Sequence, residues 1–171
     1  MKNIRLRSYK DTGTILLNDG LINADRLREA SDAHQKTGLS LGRALVELGF
    51  ISEWELARAV AKELGVAFIR LRNMEYRSEG SLKLDPALLH HHRFFILERF
   101  GDVDTVVVTE PPTLDLLTEI SPILAGKVFF LVSLMSDVER VLTVSVPLAH
   151  EGPVAQEAAT TAEEILKGFS D

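Results

Sequence analysis

Two stretches of the chain carry one repeated pattern, GTILLNDGLINADRLREA at Gly13–Ala30 and GRALVELGFISEWELARA at Gly42–Ala59. The stretches are offset by 29 residues, and most of their glycine, aliphatic and alanine positions coincide or agree in type. A fixed repeat of this length is typical of one supersecondary unit that is used more than once. The repeat therefore predicts two copies of the same local structure, adjacent in the chain.

Cap residues identify each copy as a helical hairpin. Gly20 and Gly49 follow the short first helices, because glycine readily adopts the left-handed conformation that ends a helix. Asn23 and Ser52 are N-cap residues of the second helices, and Ser52 forms a capping box with Glu55. We expect the second helices at 24–37 and 53–64, and a four-helix subdomain of two hairpins over residues 11–65.

The second half of the chain changes from helical to β-type patterning. Strand-forming runs stand at 66–69, 94–97, 105–109 and 128–134, and helical ones at 85–92, 114–120 and 137–144. This order predicts a small α/β sandwich of about three strands over residues 66–146, joined to the helical repeat by a loop at 70–83. The predicted fold class is therefore α+β.

Composition and the chain ends limit the class of protein. The chain has 171 residues, a net charge of −6 and no cysteine, which excludes disulfides and zinc–thiolate sites. Residues 1–10 are basic but lack the apolar segment of a signal peptide, and residues 147–171 are interpreted as a flexible acidic tail with a short helix. No run reaches the length of a membrane span. We expect a cytoplasmic protein that contacts the membrane only through a partner.

The residues LGRALVELGFISEWELARAVAKELGVAFIRL at Leu41–Leu71 resemble the N-terminal domain of type II secretion and type IV pilus assembly ATPases. Further segments follow in the order of that family. They are its Asp-Pro helix at 85–89, two strands at 95–97 and 105–108, and an acidic-Pro turn at 110–112. The resemblance spans residues 11–146 and implies a bacterial, non-catalytic interaction module. Such a module docks on an inner-membrane secretion or pilus platform protein or on the motor ATPase.

One branch of the family binds cyclic di-GMP through the repeated unit. The resemblance places an arginine two residues before each first glycine and a glutamine at the end of each second helix. Here those positions are Asp11, Ser40, His34 and Glu63. Two carboxylates would repel a dianionic ligand, so we interpret the chain as the scaffold without its nucleotide site. A one-residue shift that brings in Gln35 leaves the alternative of a cyclic di-GMP sensor open.

A search for catalytic and cofactor motifs finds none. An ATPase motor needs the glycine-rich P-loop. The sequence at Gly126-Lys127 lacks the preceding glycine, where Ser121 stands, and the following Ser or Thr, where Val128 stands. We therefore predict no enzyme activity and no cofactor. A DNA-binding role is also disfavoured, because residues 11–65 carry a net charge of −3.

Two polar clusters are interpreted as structural. His90, His91 and His92 are consecutive on a predicted helix and point about 100° apart, so they cannot all face one metal ion. At a helix C-terminus the dipole favours their protonated form. Asp102 and Asp104 flank a strand and are interpreted as turn residues. We predict no metal site.

Phe50 and Trp54 are the candidate partner-binding residues of the helical subdomain. Trp54 is the chain's single tryptophan and stands two residues after the Ser52 cap. It either packs across the hairpin, which we favour, or is exposed as an anchor for a protein partner. No nucleic-acid partner is expected.

Overall fold

The computed structural model describes residues 10–72 and 84–146. Most of the basic N-terminal segment, most of the predicted inter-subdomain loop and the predicted acidic tail with its helix lie outside these residues. The described residues contain seven helices and a three-stranded sheet. The predicted α+β class is therefore confirmed, whereas the boundaries at residues 65/66 and 146/147 stay a prediction.

The N-terminal half is two helical hairpins, as the repeat predicts. Its helices are α1 (Thr12–Asn18), α2 (Ala24–Thr37), α3 (Leu41–Glu47) and α4 (Glu53–Leu64). Each begins at a side chain that accepts a hydrogen bond from the backbone two or three residues on, and Ser52 and Glu55 form the predicted capping box. Leu16, Leu45, Leu56 and Val60 are fully buried between the helices. We call this part the helical half.

The α/β half begins near Leu84. Its elements are α5 (Pro86–His92), β1 (Phe95–Phe100), β2 (Val103–Val108), α6 (Leu114–Ile120), β3 (Lys127–Val132) and α7 (Met135–Ser145). The sheet order is β1-β2-β3, with β1 antiparallel and β3 parallel to β2. Helix α6 makes the crossover that two parallel strands require. The predicted strands at 94–97, 105–109 and 128–134 are present with shifted ends.

The predicted strand at 66–69 is wrong. The segment makes a single parallel bridge, Phe68 with Val132, supported by Ile69 N–H donating to Val132 O at 2.8 Å and Val132 N–H to Ala67 O at 3.0 Å. Val132 is the last residue of β3, and the chain beyond it soon enters α7. The ladder therefore cannot continue past Val132, and on the other side of the bridge the Val66 N–H donates to Ala61 O at 3.1 Å at the end of α4 instead.

Helix α7 begins two residues earlier than predicted. Its N-cap, Leu134, provides no side-chain hydrogen bond, so the sequence around it carries no capping signal. The carboxylate of Glu53 in α4 accepts instead from Ser136, from its N–H at 3.1 Å and its hydroxyl at 2.7 Å. A cap supplied from a distant helix joins the two halves and starts α7.

A second polar bridge also joins the halves. The Glu139 carboxylate of α7 accepts from Arg43 in α3 and from Arg93 Nε at 2.8 Å. Arg93 ends α5 with a left-handed backbone, φ 48°. Together with the Glu53–Ser136 contact, these hydrogen bonds fix how the helical half sits on the α/β half.

The interpretation of Asp104 as a turn residue is wrong. Asp104 lies in β2, fully buried, directly opposite Arg99 of β1. Its carboxylate accepts from Arg99 Nε at 2.6 Å and Nη2 at 3.2 Å, and also from the backbone N–H of Ala125. Asp102 does lie in the β1–β2 turn, exposed and paired with Lys127 at 3.1 Å. Only one of the two aspartates is therefore part of the core.

Replacing Asp104 with alanine should lower the free energy of unfolding by about 2–4 kcal/mol, because Arg99 and the Ala125 N–H lose their buried acceptor. Urea denaturation followed by circular dichroism measures the change. Asp102→Ala is the matched control, and we expect no measurable effect from it since its ion pair is exposed. Equal losses in the two variants would contradict this assignment.

Candidate functional site

A cleft of about 360 Å³ lies between the two halves. The helical half contributes residues from the start of α1, the end of α2 and the start of α3, and the α/β half contributes α5 and the segment after β2. Asp11, His34 and Ser40 line it, so the structure brings together three of the four positions at which the nucleotide-binding branch has arginine or glutamine. We call it the inter-half cleft.

The side chains at these positions serve the fold. Asp11 caps α1 and accepts from Thr14 N–H at 2.9 Å and Oγ1 at 2.7 Å, and these two hydrogen bonds lower the pKa of its carboxyl. Ser40 caps α3, accepting from Arg43 N–H at 3.3 Å. His34 Nδ1 contacts the carbonyl oxygen of Leu39, across the left-handed Gly38 that ends α2. The cleft wall is therefore made of helix caps.

Glu63, the fourth position, is not part of the cleft lining. It lies on the last turn of α4, where its carboxylate pairs with Lys10 Nζ at 3.1 Å. Both side chains are partly exposed. An ion pair of this kind contributes little to stability.

Glu110 is the cleft residue that the repeat pattern does not reveal. Its Oε2 accepts from Thr12 Oγ1 at 2.7 Å and from Gly42 N–H at 3.1 Å, so one carboxylate contacts α1 and α3 together. A Cβ at Gly42 would lie 2.6 Å from the Glu110 carboxyl carbon. The glycine therefore leaves the space that Glu110 occupies.

The three histidines have different surroundings. His90 Nε2 contacts Val146 O at 2.8 Å, whereas the rings of His91 and His92 meet edge to face at 4.7 Å on the wall of the cleft. Burial, and then the neighbouring His91, lower the pKa of His92, which favours its neutral form. Among the residues that the structure describes, no group of three His, Asp or Glu side chains is placed to hold a metal ion.

Trp54 is half exposed rather than packed across the hairpin. Its side chain is 52% exposed, its ring lies 5.1 Å from that of Phe68, and the Arg70 guanidinium stacks over it at 4.9 Å. Phe50 is half-buried, and the Arg26 guanidinium lies over its ring at 5.5 Å from the ring centroid. Phe50 does not line the groove that Trp54 lines. The two candidate partner-binding residues are therefore not brought together.

An apolar groove of about 590 Å³ extends from Trp54 along α4. We call it the Trp54 groove; its lining is Trp54, Glu55, Arg58, Ala61, Lys62, Gly65, Val66 and Phe68.

Within the described residues, no helix has the length and apolar character needed to cross a membrane.

Comparison with known proteins yields sequence relatives of one kind. The chain is 28% identical over 99 residues to the type IV pilus assembly ATPase PilB of Myxococcus xanthus, and 32% identical over 66 residues to PilB of Thermus thermophilus. These matches cover 58% and 39% of the chain but only 18% and 7% of the relatives. No family model matches the chain.

Solved structures share the fold. The solved structure of MshE with cdg shares the fold with a TM-score of 0.59 and 23% sequence identity. The match covers 80% of the present chain and 99% of the MshE chain. The N-terminal domain of XpsE matches 81% of the chain and 96% of its own length, with a TM-score of 0.56 and 17% identity. The predicted resemblance to secretion and pilus ATPase N-terminal domains is confirmed. The inter-half cleft and the Trp54 groove are therefore features of a chain with this N-terminal-domain fold.

The contact between Gly42 and Glu110 can be tested by a double-mutant cycle. Gly42→Ala should destabilise the fold by about 1–3 kcal/mol, because the new methyl group overlaps the Glu110 carboxylate. Glu110→Ala removes that overlap, so the double variant should lose at least about 1 kcal/mol less than the sum of the single losses. Chemical denaturation of the four proteins measures this coupling.

Gly13→Ala is the control for that cycle. It is the equivalent glycine of the first repeat, and its new Cβ would meet the end of the flexible Leu27 side chain at 2.9 Å, not Glu110. Its effect should simply add to that of Glu110→Ala. Additive losses for Gly42→Ala as well would show that Glu110 does not determine the need for glycine.

Proposed function

We propose that this chain is a non-catalytic interaction module that docks on a protein of a secretion or pilus machine, either an inner-membrane platform protein or a motor ATPase. The observation that carries the proposal is the Trp54 groove, in which a half-exposed tryptophan is held in place by neighbouring groups. An exposed aromatic in an apolar groove is typical of a protein-binding site.

The comparisons support this role. The relatives named PilB are pilus assembly ATPases, and the part of them that the chain matches is 18% of the length or less. The chain itself lacks a P-loop, so it has no residues with which to cradle the phosphates of ATP. We infer that it serves assembly rather than hydrolysis, on the cytoplasmic side of the membrane.

Capture of partners by the immobilised full chain tests the proposal. We expect at least one purified platform protein or motor ATPase of the same organism to bind, and Trp54→Ala to weaken the binding at least about tenfold. Phe100→Ala is the matched control, because Phe100 is 86% exposed on β1 and does not line the groove. Absence of binding to every platform and motor protein would reject the proposed function.

The alternative is a sensor of cyclic di-GMP, and one observation favours it. The structure of MshE with cdg shares the fold, and the inter-half cleft brings together three of the positions that the resemblance assigns to a cyclic di-GMP site. The chemistry of the cleft opposes it. Asp11 and Glu110 present carboxylates where a dianionic ligand needs donors, and neither His34 nor Ser40 supplies the bidentate fork of arginine.

Titration calorimetry with cyclic di-GMP should therefore show no micromolar binding to the full chain. The nucleotide-binding MshE domain, measured in the same buffer, is the positive control. A low-micromolar isotherm would overturn the residue-level argument, and its loss in Gln35→Ala would then identify the one-residue shift as the reason.

A further inference from the structure

We propose that the Trp54 groove binds an acidic amphipathic helix of the partner protein. The inference rests on the proposed function and names the chemistry of the partner at that surface. It follows from the apolar lining of the groove, from the two cations along its edge and from the way in which Trp54 is fixed.

The lining of the groove follows α4 and offers an apolar surface along which one helix can pack. Trp54, Arg58 and Ala61 follow one another at helical spacing on one face of α4, and Gly65 is the C-cap that ends this helix. They span a length of about 16 Å, which corresponds to three turns of a partner helix. Val66 and Phe68 complete the lining beyond the end of α4, where the Phe68 ring lies beside that of Trp54 at 5.1 Å. A helix that presents apolar side chains at i, i+3, i+4 and i+7 would pack along this lining.

Trp54 is fixed before any partner arrives. Arg70 stacks over its indole at 4.9 Å, and the Arg70 Nε donates to Asp137 Oδ2 at 2.8 Å. Asp137 is itself buried and also accepts from the Leu71 N–H at 3.1 Å. Burial raises the pKa of Asp137, but the bonds from Arg70 and Leu71 outweigh burial and lower it. An aromatic anchor that is ordered in advance loses little side-chain entropy on binding.

The charged groups of the groove favour carboxylates. Arg58 and Lys62 lie one turn apart on α4, and Arg58 takes part in none of the ion pairs found among the described residues. Lys62 pairs with Asp19 at 2.6 Å but its side chain is 71% exposed. The acidic member, Glu55, is engaged by Ser52 N–H at 2.7 Å and Ser52 Oγ at 2.8 Å. The lining therefore carries two cations against one carboxylate, and that carboxylate interacts electrostatically with Arg58.

The charge of the rest of the chain makes this edge selective. The whole chain has a net charge of −6, so its overall charge does not attract an acidic helix. Arg58 and Lys62 provide a local exception beside the apolar lining. Carboxylates that flank the apolar face of the partner helix would meet these cations and set its orientation.

Fluorescence of Trp54, the single tryptophan of the chain, reports on the groove directly. The probe is a tryptophan-free synthetic helical peptide with leucine on one face and glutamate on both flanks. Two matched peptides carry lysine in place of glutamate, or the same residues in scrambled order. We expect saturable quenching or a blue shift with the acidic peptide, and at least about tenfold weaker binding of the other two.

Charge-reversal variants of the full chain locate the contact. Arg58→Glu and Lys62→Glu should each weaken binding of the acidic peptide by about fivefold or more and strengthen binding of the lysine peptide. Arg28→Glu, an exposed position on α2 outside the groove, should leave both affinities unchanged. Circular dichroism checks that each variant is folded.

Specific results would overturn the inference. Equal or tighter binding of the lysine peptide would reject the acidic chemistry, and no response of Trp54 to either helix would reject the groove. If a partner is nevertheless captured by the full chain, the proposed function stands without this site. A concentration-dependent Trp54 signal without peptide would make a second copy the occupant, and tighter binding of a peptide of residues 147–171 would make it the chain's own end.

Discussion

The hydrogen bonds accepted by the Glu110 carboxylate join both repeat units to the α/β half, in addition to the bridges made by Glu53 and Glu139. Glu110 follows β2 in the α/β half, yet it accepts from Thr12 at the start of α1 and from Gly42 in α3. One acidic group therefore ties both repeat units to the sheet. The contact is possible because Gly42 has no side chain. It also places a carboxylate at the inter-half cleft, and this acidic group disfavours a phosphate ligand.

Local signals in the sequence determine the helices that could be predicted. The bounds of α2, α4 and α6 agree with the prediction, because the caps that begin them are hydrogen bonds between residues two or three positions apart. The start of α7 and the segment at 66–69 could not be found in this way. The cap of α7 comes from Glu53, 83 residues earlier, and Phe68 bridges to a strand end that follows it by more than 60 residues. Long-range contacts leave no local pattern.

The candidate site likewise contains residues that the sequence identifies and one that it does not. The resemblance to the nucleotide-binding branch identifies Asp11, His34 and Ser40, and the structure brings them to one cleft because the starts of α1 and α3 and the end of α2 lie together there. Glu110 lies 68 residues beyond Gly42 and outside the repeat, so its role cannot be read from the repeated pattern. The missing side chain at Gly42 was the available signal. It indicates close approach but does not name the group that approaches.

The Trp54 groove and the inter-half cleft depend on the same junction. Asp137 lies in α7 of the α/β half, and through Arg70 it sets the orientation of Trp54 in α4 of the helical half. The neighbouring Glu53–Ser136 contact joins the same two helices. Any change in the position of α7 relative to α4 must therefore alter the stacking of Arg70 on the indole. A partner that docks on Trp54 consequently binds a surface whose shape depends on how the two halves are joined. Glu110 also joins the two halves, at the inter-half cleft.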